Sequence, residues 1–158
     1  MAEQKTNVMR LLEQKKVKYT AYEYPHDDGP VDGVTVAKLT GQEPRKVFKT
    51  LVLRGVSKAV YVFVIPVQEE LDLKKAAKTA GEKSVAMVHV SEIMALTGYV
   101  RGGCSPLGMK KQYKTFIHGS CLELDTMIVS AGKIGYQIEL DPQELIKLSR
   151  AVTADVTV

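Results

Sequence analysis

Apolar residues recur along this chain at two periods, helical and alternating, and the switches between them divide it into short elements. At residues 7–15, Val8, Leu11 and Leu12 share one helical face behind Thr6, a good N-cap. Residues 17–24 read as a strand. Pro25-His26-Asp27-Asp28-Gly29-Pro30 has loop composition, and a short helix is expected over 33–40 with Asp32 near its start. Residues 46–54 and 59–66 predict a strand pair joined by a turn at Gly55-Val56-Ser57-Lys58. Asp72 suits the cap of a helix over 73–80, and Gly81 stands where a helix-ending glycine belongs. A strand over 85–90, a helix over 92–96 capped by Ser91 and ended near Gly98, and an irregular stretch at 99–111 come next. Short strands follow at 115–118, 122–124, 127–130 and 136–140. Asp141-Pro142-Gln143-Glu144 opens a helix that ends near Ser149, and 151–156 reads as a last strand.

Strands and helices mix without regular βαβ alternation, and neither a repeat nor a linker interrupts them. The expectation is therefore a mixed α/β (α+β) single domain over residues 1–158. A curved, partly barrel-like mixed sheet would be surrounded by helices, in preference to a Rossmann fold.

One position breaks the apolar pattern. In Val47-Phe48-Lys49-Thr50-Leu51-Val52-Leu53, Lys49 shares a face with Val47, Leu51 and Leu53, while Phe48, Thr50 and Val52 point the other way. Lysine is almost never fully buried without a partner. Two readings stand: a snorkelling or carboxylate-paired side chain, or a cation held in a pocket for an anionic or carbonyl-bearing ligand.

The 158 residues suffice for one core, and 45% hydrophobic with 25% charged residues is ordinary globular composition. No apolar run nears the ~20 residues of a membrane span, and the N-terminus lacks a signal-peptide core, so a cytoplasmic protein with no membrane association is expected. Cys104 and Cys121 cannot form a disulfide framework. His26, His89 and His118 show no metal-binding spacing, so neither metal nor cofactor is expected. A net charge of +4 and a pI near 9.0 are compatible with a polyanionic partner, although each small lysine group taken alone reads first as a solvated face. Six per cent aromatics and no Trp argue against a single-strand binder built on stacking.

Two segments rich in small residues could carry chemistry. Gly102-Gly103-Cys104-Ser105-Pro106-Leu107-Gly108 lets backbone N–H groups approach a ligand or simply makes a tight turn, and it matches neither a P-loop nor GxGxxG. Ser130-Ala131-Gly132-Lys133-Ile134-Gly135 is either a plain strand connection or a nest for an oxygen. Cys104 has no nearby His and reads first as an apolar filler, Ser105 lacks the GxSxG context, and His26 reads as a surface or capping group. No triad, metal site or acid pair emerges.

In this order and at these separations, several segments resemble the bacterial Cys-tRNA(Pro) deacylases of the YbaK/EbsC type, which belong with the editing domain inserted in bacterial prolyl-tRNA synthetases. They are Val47-Phe48-Lys49-Thr50-Leu51, Leu71-Asp72-Leu73-Lys74-Lys75, Thr97-Gly98-Tyr99 with the 102–108 loop, and Ser130-Ala131-Gly132-Lys133. The resemblance covers nearly the whole chain. It implies a mixed α/β domain whose pocket takes the aminoacylated 3′-terminal adenosine of a tRNA, and hydrolytic removal of cysteine mischarged onto tRNA(Pro). Prolyl-tRNA synthetase becomes an expected partner. Lys49 matches the family's essential lysine, with Thr50 beside it. Gly102 and Gly103 match a substrate-contacting glycine loop, Ser130 and Gly132 a second loop, and Tyr24 a pocket tyrosine.

Two positions depart from the pattern. Familiar members carry Gly-Leu-Asp-Ile-Glu where this chain has Gly135-Tyr136-Gln137-Ile138-Glu139, so Gln137 replaces a pocket-associated aspartate; Val31 stands where an aromatic is often found. The family's proposed route, attack of the substrate's own thiol on its ester, needs a fixed conformer and stabilised charge rather than a protein nucleophile. It therefore assigns Lys49 to positioning and electrostatic stabilisation rather than to a base. Two alternatives remain: a deacylase of the same superfamily for another amino acid, and a non-catalytic tRNA- or synthetase-binding module.

Overall fold

The computed structural model describes residues 5–25 and 33–158. Expectations for the loop from His26 onward, for Val31 and for Asp32 fall outside these residues. The elements run α1 (Asn7–Gln14), β1 (Thr20–Glu23), α2 (Gly33–Thr40), β2 (Phe48–Gly55), β3 (Val60–Pro66), α3 (Leu73–Ala80), β4 (Val85–Met87), α4 (Val90–Thr97), β5 (Lys114–His118), β6 (Met127–Ser130), β7 (Tyr136–Leu140), α5 (Pro142–Ser149) and β8 (Val152–Ala154). The mixed α/β class agrees with the sequence pattern.

The strands divide into two sheets. One is antiparallel, in the order β1-β7-β6; the other is mixed, in the order β4-β2-β3-β5-β8, with β5 parallel to both neighbours. A single bridge between Val47 and Ile128 links them. The principal core lies between the sheets. Phe48, Val52, Val62, Val64 and Ile117 of the larger sheet meet Met127, Val129, Ile138 and Leu140 of the smaller, closed by Val8, Met9 and Leu12 of α1 and Leu145 of α5. On the other face of the larger sheet, Leu53, Tyr61, Phe63, Ile65 and Phe116 pack against Ala76, Ala77 and Ala80 of α3, whose small side chains let the helix approach closely. A third, smaller cluster joins Ala37 of α2 to Val47, Val67 and Ile128.

The caps explain most boundaries. Thr6 accepts from Met9 N–H, Asp72 from Lys74 and Lys75 N–H, and Asp141 from Gln143 N–H, while Gly81 ends α3 at φ 78°. Four expectations shift, one of them the strand expected over 85–90, which ends at Met87 while α4 begins at Val90. The strand expected from residue 17 begins at Thr20, because Lys16 turns at φ 58° and Val17 N–H still caps Leu12 C=O at 2.9 Å. Helix α4 is capped by His89 rather than Ser91: the His89 Nδ1 accepts from Ser91 N–H at 3.2 Å, and Glu92 reaches back to His89 N–H, a capping box built on an unusual residue. Residues 122–124 are not a strand. They close a 3-10 turn over Gly119–Glu123 that buries Cys121 and leaves Leu122 exposed.

Candidate active site

A cavity of about 680 Å³ opens where the two sheets meet. It exists because β4 is short. β4 pairs with only Leu53, Arg54 and Gly55, so the first half of β2 has no strand neighbour on that side. Lys49, Thr50 and Leu51 from this uncovered edge line the cavity with Tyr24 after β1, Val34 and Val36 of α2, Ser130 at the end of β6, Gln137 of β7, and Arg101, Gly102 and Cys104 from the irregular loop.

Lys49 sits opposite Ile65 in the β2–β3 register, on the face that buries Leu53 further along. It is partly buried, and among the described residues it has no hydrogen-bond or ion-pair partner. Among the described residues the carboxylate-paired reading of this lysine finds no partner. Its neighbour Thr50 has a buried hydroxyl that also lacks a partner, a desolvation cost of about 1–3 kcal/mol unless something enters to pair with it. The described lining contains two cations, Lys49 and Arg101, and no Asp, Glu or His.

The small-residue loops lie against each other. A Cβ on Gly103 would stand 2.9 Å from Ile134 N and 3.1 Å from Lys133 C, so the two backbones touch there because Gly103 has no side chain. Gly132, at φ 94°, leaves no room for a Cβ against Asn7 and the Tyr99 ring. Gly102 and Ser130 line the cavity, whereas Gly103 and Gly132 lie behind it and set the spacing of the loops. Ser130 Oγ accepts from Gly132 N–H at 3.2 Å, which turns the second loop tightly. Tyr99 braces both loops: its hydroxyl accepts from Asn7 Nδ2 at 2.8 Å and donates to Leu107 C=O at 2.6 Å.

Of the eight residues singled out from the sequence, Tyr24, Lys49, Thr50, Gly102, Ser130 and Gln137 converge on one cavity. Arg101, which the sequence did not single out, and Cys104, which read first as an apolar filler, line the same cavity. Cys104 does border the cavity, but burial pushes its thiol up to about 11, so it stays protonated near neutral pH and is a poor nucleophile. Among the described residues no three His, Cys, Asp or Glu side chains gather as a metal site.

A second polar group flanks the cavity. Glu139, two residues beyond Gln137 on the same face of β7, accepts from Lys46 Nζ at 2.9 Å and from the hydroxyls of Tyr22 and Thr126. Burial works to raise its pKa, yet hydrogen bonds from Thr126, Tyr22 and Lys46 hold the carboxyl below the ordinary glutamate value.

A cavity whose described lining holds two cations and a glycine loop, with no acid, suits a ligand that is anionic or rich in carbonyl oxygens. Residues 31–148 match the model of the aminoacyl-tRNA editing domain. The chain belongs to the aminoacyl-tRNA editing domain family. It is 46% identical over 155 residues, 98% of this chain and 94% of the relative, to EbsC of Enterococcus faecalis, named as a candidate Cys-tRNA(Pro)/Cys-tRNA(Cys) deacylase. It is 28% identical over 113 residues, 72% of this chain and 71% of the relative, to the uncharacterized protein YwhH of Bacillus subtilis. The fold matches the crystal structure of a candidate trans-editing enzyme for prolyl-tRNA synthetase, with a TM-score of 0.82 at 23% identity over 99% of both chains. A second solved structure, of a hypothetical protein, matches with a TM-score of 0.84 at 24% identity, covering 96% of this chain and 99% of that one. In this editing domain, no helix among the described residues is long and apolar enough to cross a membrane.

Proposed function

We propose that this editing-domain protein is a trans-editing deacylase that removes cysteine mischarged onto tRNA(Pro). The observation that carries the reading is Lys49, a partly buried cation without an ion pair, at the wall of a cavity with no described acid or reactive nucleophile. An unopposed cation on a rigid strand stabilises charge that develops on an ester oxygen, and it needs no reorganisation at the moment of reaction.

The step that fits this lining uses the substrate's own sulfur. The thiol sulfur forms a bond to the ester carbonyl carbon, the bond from that carbon to the ribose oxygen breaks, and the thiol proton passes to the departing ribose hydroxyl. Water later opens the released cyclic thiolactone. Lys49 holds the 3′ end and balances the oxyanion, Thr50 supplies its unpaired hydroxyl, and the loop at Gly102 lets the substrate approach its backbone. Tyr24, Ser130 and Gln137 shape the site around the aminoacyl group. Gly103 and Gly132 keep the two loops at their spacing.

The chain's modest charge of +4 gives few means of choosing among tRNAs, so prolyl-tRNA synthetase is proposed as the partner that supplies this choice. The test is deacylation of Cys-tRNA(Pro) by purified protein beside Lys49→Ala. Turnover above background that vanishes in the variant supports the reading; no turnover, or equal turnover in both, overturns it. Co-elution with the synthetase and tRNA tests the partnership. One feature favours a second reading, a deacylase for another amino acid: Gln137 puts a neutral amide in the cavity wall where the family pattern that the sequence resembles implies an aspartate. A panel of mischarged tRNAs separates the two.

A further inference from the structure

Behind the cavity wall Gln137 meets Gln42, whose own Oε1 is buried without a partner among the described residues. Gln137 is only 5% exposed, and its Oε1 accepts from Gln42 Nε2 at 3.0 Å. Among the described residues its own Nε2 has no partner, while the residue borders the cavity. Gln42 does not line the cavity. It lies just past α2, where Gly41 turns at φ 71° and Gln42 N–H donates to Ala37 C=O at 2.9 Å, so its backbone is held by the cap of that helix. The neighbouring carboxylate on the same face, Glu139, is occupied by Lys46, Tyr22 and Thr126.

We propose that Gln42 is a positioning residue for Gln137. A carboxamide has one accepting end and one donating end. By engaging the accepting end, Gln42 turns the Gln137 N–H₂ group toward the cavity, where it donates to the aminoacyl group as negative charge develops on it. With Lys49 and Arg101, the described wall then offers donors and positive charge with no carboxylate to oppose them. Such a wall favours an uncharged or anionic amino-acid side chain and disfavours a cationic one. The inference rests on the deacylase reading and adds the residue that decides which face of Gln137 the substrate meets.

The experiment compares single-turnover kinetics on Cys-tRNA(Pro) for wild type, Gln42→Met, Gln42→Glu, Gln137→Leu and the Gln42→Met/Gln137→Leu double variant, with thermal melts to follow folding. Gln42→Met should lower kcat about three- to tenfold, the worth of one hydrogen bond, with KM nearly unchanged. The double variant should lose no more than Gln137→Leu alone. Gln42→Glu separates positioning from simple bracing. The new carboxylate keeps a bond to Gln137 but takes its N–H, which turns the oxygen into the cavity, so kcat falls below that of Gln42→Met. Bracing predicts the opposite order. Additive losses, or a Gln42→Glu variant as fast as wild type, overturn the inference. If wild type itself leaves every mischarged tRNA intact, the deacylase reading fails instead. The placement is then read by NMR hydrogen exchange: protected side-chain amide protons on Gln42 with freely exchanging ones on Gln137 uphold it, and any other pattern overturns it.

Discussion

Lys46 and Glu139 form an ion pair at 2.9 Å, whereas Lys49, three residues on, has no carboxylate partner among the described residues. Glu139 is claimed by Lys46 and two hydroxyls at the seam, while Lys49 on β2 lines the cavity together with Arg101. The pair thus ties the chain just before β2 to β7, and Lys49 stays at the cavity wall.

Replacing Lys49 should separate stability from activity. Lys49→Met removes a partly buried charge that gains nothing from a partner, so the melting temperature should equal or exceed that of wild type. Deacylation should fall by about 10²–10³-fold, the loss seen when a preorganised charge or donor is taken from an oxyanion. Melting curves and single-turnover rates check both halves, and a destabilised Lys49→Met would show that the lysine has a structural partner.

Arg101 stands at the cavity in an exposed position without a described partner. Arg101→Ala should raise KM about two- to fivefold, the worth of one exposed charge contact. It should also reduce the salt slope of tRNA binding by about one, as one phosphate contact is lost. Titrations of affinity against salt concentration measure this directly.

Glu139 predicts an acid limb of stability. Its folded pKa lies below the unfolded value of 4.5, so the ionised network stabilises the fold fully above that pH and less as pH falls through the folded value. Wild type should therefore exceed Glu139→Gln by about 2 kcal/mol at pH 7, the worth of hydrogen bonds to a charged group. The gap should narrow below pH 4.5. Urea unfolding at several pH values tests it, and a gap constant with pH would count against the network.

The loops depend on Tyr99. Tyr99→Phe leaves Asn7 Nδ2 and Leu107 C=O without their buried partner, and should cost about 1–2 kcal/mol. Gly132→Ala forces a side chain into a left-handed backbone 2.8 Å from Asn7 Oδ1 and 2.9 Å from the Tyr99 ring, and should displace the Ser130 turn as well. The expected signature is a joint loss of stability and kcat, read by melts and kinetics together.

Cys104 should take no covalent part. With a pKa of about 11, roughly one molecule in ten thousand carries the thiolate at pH 7. Mass spectrometry under turnover should find no aminoacyl group on the protein, and alkylation of the folded chain should be far slower than that of an unfolded one. An acylated Cys104 would replace the substrate-thiol route with a protein nucleophile.

Local chemistry wrote much of this protein into its sequence. Thr6, Asp72 and Asp141 mark helix starts because their side chains satisfy nearby N–H groups, and the β2–β3 hairpin follows from alternation around a short turn. The oddness of Lys49 was equally visible, since a charge on an apolar strand face is a one-dimensional signal. His89 as a cap and the turn at Gly119–Glu123 were not visible, because an imidazole seldom caps and a buried Cys121 looks like strand alternation. The fate of each charge was decided only in three dimensions. Whether Lys46 or Lys49 meets Glu139, and which end of Gln137 meets Gln42, depends on residues 93 and 95 positions apart brought together by the closing of two sheets. Pattern along a chain reports burial and local hydrogen bonding, whereas pairing between distant side chains is a property of the packed sheets.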